Sequence, residues 1–375
     1  MLIGIDGRAA NSPNPLGAGV YCYELLRAFA AMDTGCRFRI YLDRPPLPGF
    51  PIAPPRAEIR VLPAGRYWTL LRLSRELRRE PPDLFFAPVL QTPLGCPCPV
   101  VVTHHGLYRE QAECLSARDR RGLARATRMA RCFAQHVIVV SEDSRQQLAA
   151  LSGIPLNRIS MTHHACAPAF SAVHDAVAAA HVRETYRLPE RFVLFTGRLS
   201  PRKNLVRMIE AFGRCMAQHP ELPQHFVIAG AQDAATASTA PVMRAAKAVP
   251  HPERIHFIGH VGREDMPALM REAEALFFVS LCESFGIPAV EAMASGTPVL
   301  GPTTCALPEV LDGAGLLADP WSVEEMADQL ALLLTDEALR QRLAAQGIAR
   351  ARAFSWEKTA VKSLEIFRSV AAASA

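Results

Sequence analysis

Arg198 and Lys203 lie five positions apart on the stretch GRLSPRKN, directly after the apolar run RFVLFTG. A planar guanidinium fork and a compact ammonium on one loop suit the two phosphates of a diphosphate. An isolated pair at this spacing is more often two solvated loop charges. Its place at the carboxyl end of a strand is what brings the chemistry into view. A second stretch, LCESFGIPAVEAMASG at 281–296, follows the run ALFFVS in the same way and carries Glu283 and Glu291 eight positions apart. Pro288 suits the first helical position, where a missing N–H costs little. The amides of Phe285, Gly286 and Ile287 then fall on a helix entry, where backbone N–H groups meet anions. Glu291, one turn further on, is placed to accept hydrogen bonds from a diol, and Glu283 on the loop from other hydroxyls. The bland alternative is two solvent-facing carboxylates.

Two weaker signals sit near the amino terminus. LGAG at 16–19 separates an apolar run from a helical pattern, and Gly17 and Gly19 allow backbone to approach a ligand closely. The spacing is not G-x-G-x-x-G, so the nicotinamide fingerprint is absent. VVVTHHGLY puts His104 and His105 at another strand end. Adjacent side chains on extended backbone point to opposite faces, so at most one of the two serves a site there. No D-x-D occurs, and of the ten cysteines only Cys96 and Cys98 are close in sequence, so no metal site is expected.

These residues need a scaffold that sets strand ends side by side. Runs rich in β-formers, LIGID, RFRIYLD, LFFAP, VVVTHH and HVIVVS, alternate with helical patterns through the first half. RFVLFTG, HFVIAG, RIHFIGH, ALFFVS and TPVLGP repeat the scheme in the second. Continuous apolar strands of this kind indicate parallel sheets covered on both faces. In such sheets ligands bind outside the carboxyl ends of the strands. The expectation is α/β: two doubly wound domains facing a central cleft, residues 1–170 and 191–354, with the alanine-rich 171–190 as linker.

At 375 residues the chain is long enough for two cores. The acid at position 6 comes too early for a secretory apolar core, and no run is long enough to span a bilayer. A cytoplasmic protein with reduced cysteines is the expectation. The net charge of +5 permits an anionic partner without demanding one. RYWTLLRLSRELRRE at 66–80 has five arginines around an apolar stripe and reads as a crossover helix, the alternative being a helix lying on a membrane surface. RDRRGLARATRMAR at 118–131 raises the same two readings. Aromatics do not interleave with these runs, which argues against nucleic acid.

Taken together, GRLSPRKN and ESFGIPAVE resemble the nucleotide-sugar site of retaining GT-B glycosyltransferases, the family 4-type group that includes bacterial mannosyltransferases. GIDGR, LGAGVYCYELL, PDLFFAP, VVTHHGL, VIVVSEDSRQQL, LPEVLDGAGLLADP and FSWEKTA extend the resemblance over nearly the whole chain. It implies that Arg198 and Lys203 hold a donor diphosphate and that Glu283 contacts the transferred sugar. It further implies that the amides of Phe285–Ile287 line sugar and phosphate, that Glu291 binds the ribose, and that Gly17 and Gly19 lie under the pyrophosphate. His105, rather than His104, aligns with the histidine that touches the donor sugar. Where the family frequently has His-Asp, this chain has His105-Gly106. A Pro-Asn-Gly turn common in the family is replaced by His163-His164-Ala165. The C-terminal helix, about 355–375, is implied to cross back to the first domain.

The expected activity is metal-independent transfer of a hexose, with no cofactor, from a nucleoside diphosphate sugar to a hydroxyl of a glycan or glycolipid. GDP-mannose is the favoured donor. A UDP-sugar donor is the alternative among enzymes, and a catalytically silent sugar-nucleotide-binding subunit is the alternative of another class. Peripheral contact with the inner face of the membrane is compatible with the basic helices.

Overall fold

The computed structural model describes residues 1–13, 17–106, 117–230 and 239–374; Leu16, Leu107 and Tyr108, at the edges of two quoted motifs, lie outside them. The described chain divides into two compact units. One holds the residues up to His164 together with those from Ser355 onward, and the other holds Ala165 to Phe354.

In the first unit the elements run β1 (Leu2–Asp6), α1 (Ala18–Ala31), β2 (Arg37–Leu42), β3 (Ala57–Val61), α2 (Ser74–Arg79), β4 (Leu84–Ala87), β5 (Val100–Thr103), α3 (Ala117–Phe133), β6 (His136–Val139), α4 (Glu142–Ser152) and β7 (Ile159–Met161). They form a seven-stranded parallel sheet in the order β3-β2-β1-β4-β5-β6-β7. The strand order reverses between β1 and β4. β4 and β5 are buried at every position, as strands covered on both faces require. β3, whose AEIRV is buried only at Ala57 and is otherwise exposed or half-buried, is one strand that the apolar runs did not announce.

The second unit runs α5 (Ala176–Thr185), β8 (Phe192–Thr196), α6 (Leu205–Gln218), β9 (His225–Ala229), α7 (Thr239–Ala248), β10 (Ile255–Gly259), α8 (Met266–Glu272), β11 (Ala275–Phe277), α9 (Ile287–Ala294), β12 (Val299–Pro302), α10 (Leu307–Leu311), β13 (Leu316–Ala318), α11 (Val323–Thr335) and α12 (Glu337–Ala351). Its six parallel strands are ordered β10-β9-β8-β11-β12-β13, reversing between β8 and β11. Several helices begin where the sequence supplies a side-chain cap. Ser322 and Asp336 accept amides of the first turns of α11 and α12, as Ser141 does for α4.

Two stretches carry local structure that the sequence reading did not specify. Within 171–190, read as linker, Asp175 accepts the amides of Val177 and Ala178 and starts α5. An aspartate cap ahead of an alanine run favours helix over open chain. In 66–80, Thr69–Leu73 forms a π-helical turn that leads into α2. Trp68, Leu73 and Leu77 are buried while Leu71 is exposed, so the segment covers the sheet with one stripe, as a crossover helix does. The last helix, α13 (Trp356–Ser374), packs on α1 in the first unit. Phe367 meets Phe86 at 4.7 Å and Phe29 at 6.4 Å between ring centroids, and Arg368 Nη2 donates to the carbonyl of Thr34. Among the described residues no helix is long and apolar enough to cross a membrane.

Candidate functional site

The two loops singled out above in the second unit leave the adjacent strands β8 and β11, on either side of the point where the strand order reverses. After β8 the chain turns at Gly197, whose φ of 145° favours glycine. A Cβ there would stand 3.3 Å from Cε of Lys203, so glycine also makes room for the lysine stem. Pro201–Lys203 form one turn of 3₁₀ helix, and Asn204, left-handed at φ 59°, starts α6. Asn204 Nδ2 donates to the carbonyls of Val279 and Pro320, and the Leu281 amide donates to the Arg202 carbonyl. The two post-strand loops are therefore tied to each other by the Asn204 side chain and by a backbone hydrogen bond.

That tie brings Lys203 Nζ to 2.7 Å from Glu283 Oε1. Arg202 Nη1 reaches Glu283 Oε2 at 2.8 Å and also donates to the Cys282 carbonyl. Phe278 lies under the ammonium, its ring centroid 4.4 Å from Nζ. Lys203 and Glu283 are only 8% and 6% exposed, which makes this a buried charge cluster rather than a surface pair. Burial by itself pushes the Glu283 carboxyl up. Arg202 and Lys203 more than offset that and hold it at about 2. Burial lowers the Lys203 ammonium, and Arg202 beside it adds to the lowering, while Glu283 opposes both. Glu283 is consequently a permanent carboxylate at neutral pH, able to accept hydrogen bonds from hydroxyls and unable to donate a proton.

The Glu283 loop is clipped from a third side by the chain after β12. Ala306 donates its amide to the Glu283 carbonyl, Thr304 Oγ1 donates to the Leu281 carbonyl, and the sulfurs of Cys282 and Cys305 are 2.7 Å apart. Gly286, at φ 93°, caps α9, and a Cβ there would press on Leu307 at 2.9 Å. Phe285 is buried edge-on against Phe354, and Ile287 begins the helix. The amides of Gly286 and Ile287 donate to no described residue, as expected of a helix start. Glu291 lies half-buried on the second turn of α9. Arg198 is exposed on the β8 loop and takes no part in the pairing with Glu283. Arg202, adjacent to Lys203 in PRKN, is the residue that sequence reasoning passed over. Its signal was weak, because adjacent residues on a 3₁₀ turn point about 120° apart, and it is the Glu283 loop, reached by each side chain on a different carboxylate oxygen, that brings the two together.

In the first unit the histidines divide as adjacent residues on a strand end should. His104 is buried, its Nδ1 accepting the Gly106 amide, so Nε2 carries the proton toward Thr127 Oγ1 at 3.0 Å. His105 is half-buried, and its Nε2 donates to the Pro88 carbonyl at 2.8 Å, which leaves Nδ1 unprotonated. Tyr21 meets the His105 ring edge-on at 5.2 Å. Burial lowers His104 to about 3, His105 adding to the effect, and lowers His105 to about 4. Both are neutral imidazoles at pH 7. Gly17 is exposed at the start of α1 with φ 50° and open space where a Cβ would stand, and Gly19 is buried in the first turn. At the reversal point of this sheet, Arg8 after β1 holds Asp6 at 2.6 Å and donates to Gln91 Oε1 beyond β4.

Two family models match the chain: glycosyltransferase family 4 over residues 16–170 and glycosyl transferases group 1 over 180–350. O-antigen chain mannosyltransferase B of Escherichia coli is 28% identical over 236 residues, covering 63% of this chain and 61% of that one. The D-inositol 3-phosphate glycosyltransferase of Corynebacterium glutamicum is 33% identical over 182 residues, 48% of this chain and 44% of that one. The matches thus span less than two thirds of either relative. Among solved structures, the sucrose-phosphate synthase of Thermosynechococcus elongatus superposes with a TM-score of 0.78 at 20% identity, covering 99% of each chain. At that identity the likeness is one of fold.

Proposed function

The chain belongs to the GT-B glycosyltransferases, with a family 4 domain followed by a group 1 domain, and from that premise we propose that it transfers a hexose from a nucleoside diphosphate sugar to a hydroxyl of a glycan or lipid-linked acceptor. The observation that carries the reading is the buried Lys203–Glu283–Arg202 cluster at the strand-order reversal of the second sheet. Glu283, ionised and fixed by two cations, accepts hydrogen bonds from hydroxyls of the transferred sugar. Lys203 and Arg198 stabilise the diphosphate as the bond from C1 to phosphate oxygen breaks and charge gathers on the leaving group. The amides at the start of α9 serve the same anion, and Glu291 accepts from the ribose diol. Gly17 and Gly19 give the pyrophosphate close access to backbone, and His105 contacts the sugar. The cations carry the neutralising charge, so the proposed reaction needs neither metal nor cofactor.

The proposed donor is GDP-mannose. Its support is the likeness to a mannosyltransferase of E. coli, whose name describes that protein's transfer, not this one's. Incubation with GDP, UDP and their sugars, read by thermal shift, tests it. A ligand at 100 times its dissociation constant stabilises by about 2.7 kcal/mol. A shift with GDP and GDP-mannose supports the donor proposed, and a shift with UDP alone reverses the choice. Binding without sugar transfer or donor hydrolysis identifies a silent subunit.

A further inference from the structure

Many arginines of this chain are paired with carboxylates: Arg8 with Asp6, Arg39 with Glu58, Arg183 with Glu272, Arg202 with Glu283. α3 is different. Its seventeen residues carry six arginines and a single acid, Asp119. Arg118, Arg121 and Arg125 are exposed and, among the described residues, form no ion pair. Their spacing of three and four sets them on one face of the helix. That face borders an open groove of about 680 Å³, whose lining includes Leu90, Arg118, Asp119, Arg121, Leu123 and Arg125.

Three features give the groove a direction. Leu90 follows β4, so the groove opens at the carboxyl edge of the first sheet, where parallel sheets bind ligands. The three arginines occupy the amino-terminal half of α3, where the helix dipole adds positive potential. Like charges stacked along one face cost free energy until an anion neutralises them. The arginines converge on a concavity shared with another element, unlike a helix lying flat on a lipid surface, and the large apolar residue that α3 exposes, Phe133, is at its far end.

We propose that this groove binds a phosphate-bearing group of the acceptor, a phosphomonoester or a pyrophosphate, through Arg118, Arg121 and Arg125. The proposal rests on the transferase reading only for what the anion belongs to. The phosphate is carried either by a soluble sugar phosphate or by a lipid-linked sugar, and the chemistry recognised is the same.

The test is calorimetric titration with inorganic pyrophosphate in buffer already saturated with whichever of GDP and UDP the protein binds. Wild type is expected to show a site beyond the nucleotide site. R118Q/R121Q/R125Q should weaken that site by about tenfold or more, with nucleotide affinity unchanged. R121Q alone, on an exposed position, should show a smaller loss, and the triple lysine variant should retain part of the affinity. Unchanged pyrophosphate affinity in the triple glutamine variant overturns the proposal, as does a wild type with no further site. Co-sedimentation with phosphatidylglycerol vesicles separates the sources. Pyrophosphate affinity and vesicle binding lost together assign a lipid-borne phosphate, and loss of pyrophosphate affinity in a protein that binds no vesicles assigns a soluble one. Vesicle binding lost while pyrophosphate affinity stands also overturns the proposal. A wild type that binds neither nucleotide defeats the donor reading instead, and the pyrophosphate titration is then run without nucleotide.

Discussion

Lys203 Nζ lies 2.7 Å from Glu283 Oε1, although eighty positions separate the two residues along the chain. The pair spans the reversal in strand order between β8 and β11, and both members are almost fully removed from solvent. A buried charge left without its partner is costly, on the order of 3–5 kcal/mol. Lys203→Ala is therefore expected to destabilise by about that much in chemical denaturation. Lys203→Met combined with Glu283→Gln should recover a large part of the loss, because no uncompensated charge remains. Additive losses in the double variant would mean the coupling inferred from the geometry is absent.

Arg198 separates binding chemistry from stability. It is exposed and outside the Glu283 cluster, so Arg198→Ala should perturb folding less than Lys203→Ala does. Turnover should nevertheless drop in both variants by roughly 10²–10³, the scale of removing one preorganised stabiliser of developing charge. Steady-state kinetics beside a melting curve reads the two effects apart. Near-normal turnover in both variants sinks the assignment of the diphosphate site.

Gly230 follows β9 and carries no side chain for a geometric reason. A Cβ there would stand 2.1 Å from the carbonyl oxygen of Gly197, which is backbone and cannot rotate away. Gly230→Ala must displace the turn that leads to Lys203. Strain of this kind is expected to cost about 1–3 kcal/mol, and turnover should fall with it. A variant as stable and active as wild type would show that the turn is softer than its contacts imply.

Acid should weaken the first unit well before it neutralises Glu283. His104 and His105 titrate at about 3 and 4 when folded, below the ordinary 6.5, because burial disfavours the imidazolium. The folded chain therefore binds fewer protons than the unfolded one between these values and 6.5. Their contribution is fully present above about pH 6.5 and is lost as pH falls toward 4. Glu283, at about 2, loses its contribution only in stronger acid. Melting temperature measured from pH 7.5 to 4.5 should decline, and less steeply in His104→Asn. A flat profile in wild type contradicts the buried neutral pair.

Transfer is expected to retain the donor's anomeric configuration. Glu283 has both oxygens committed to cations and is ionised, which suits it poorly to the role of a shuttling base. The proposed route is same-face attack. The acceptor oxygen bonds to C1 as the phosphate oxygen departs, and that oxygen takes the acceptor's proton while Arg198 and Lys203 hold the diphosphate. Proton NMR of the product from an α-linked donor decides it, and a β linkage refutes the route.

Much of this molecule is written locally. Alternating apolar runs and helical stripes are properties of neighbouring residues, so two parallel-sheet domains are legible in the chain alone. The same locality placed Lys203 and Glu283 after strands, because a post-strand position is a fact about the chain on either side. β3 and β13 were not legible as strands, being short or half-exposed, and their pairing comes from the neighbouring strand rather than from their own residues. Which charge meets which was settled only in three dimensions. Arg202, and not Arg198, pairs with Glu283, because β8 and β11 are neighbours only after the crossover, and a single 3₁₀ turn sets which basic side chain reaches across. The division between His104, tied to Thr127 of α3, and His105, tied to Pro88 beyond β4, has the same origin. Period and composition report which face a residue takes; they do not report what another segment, tens of positions away, brings to that face.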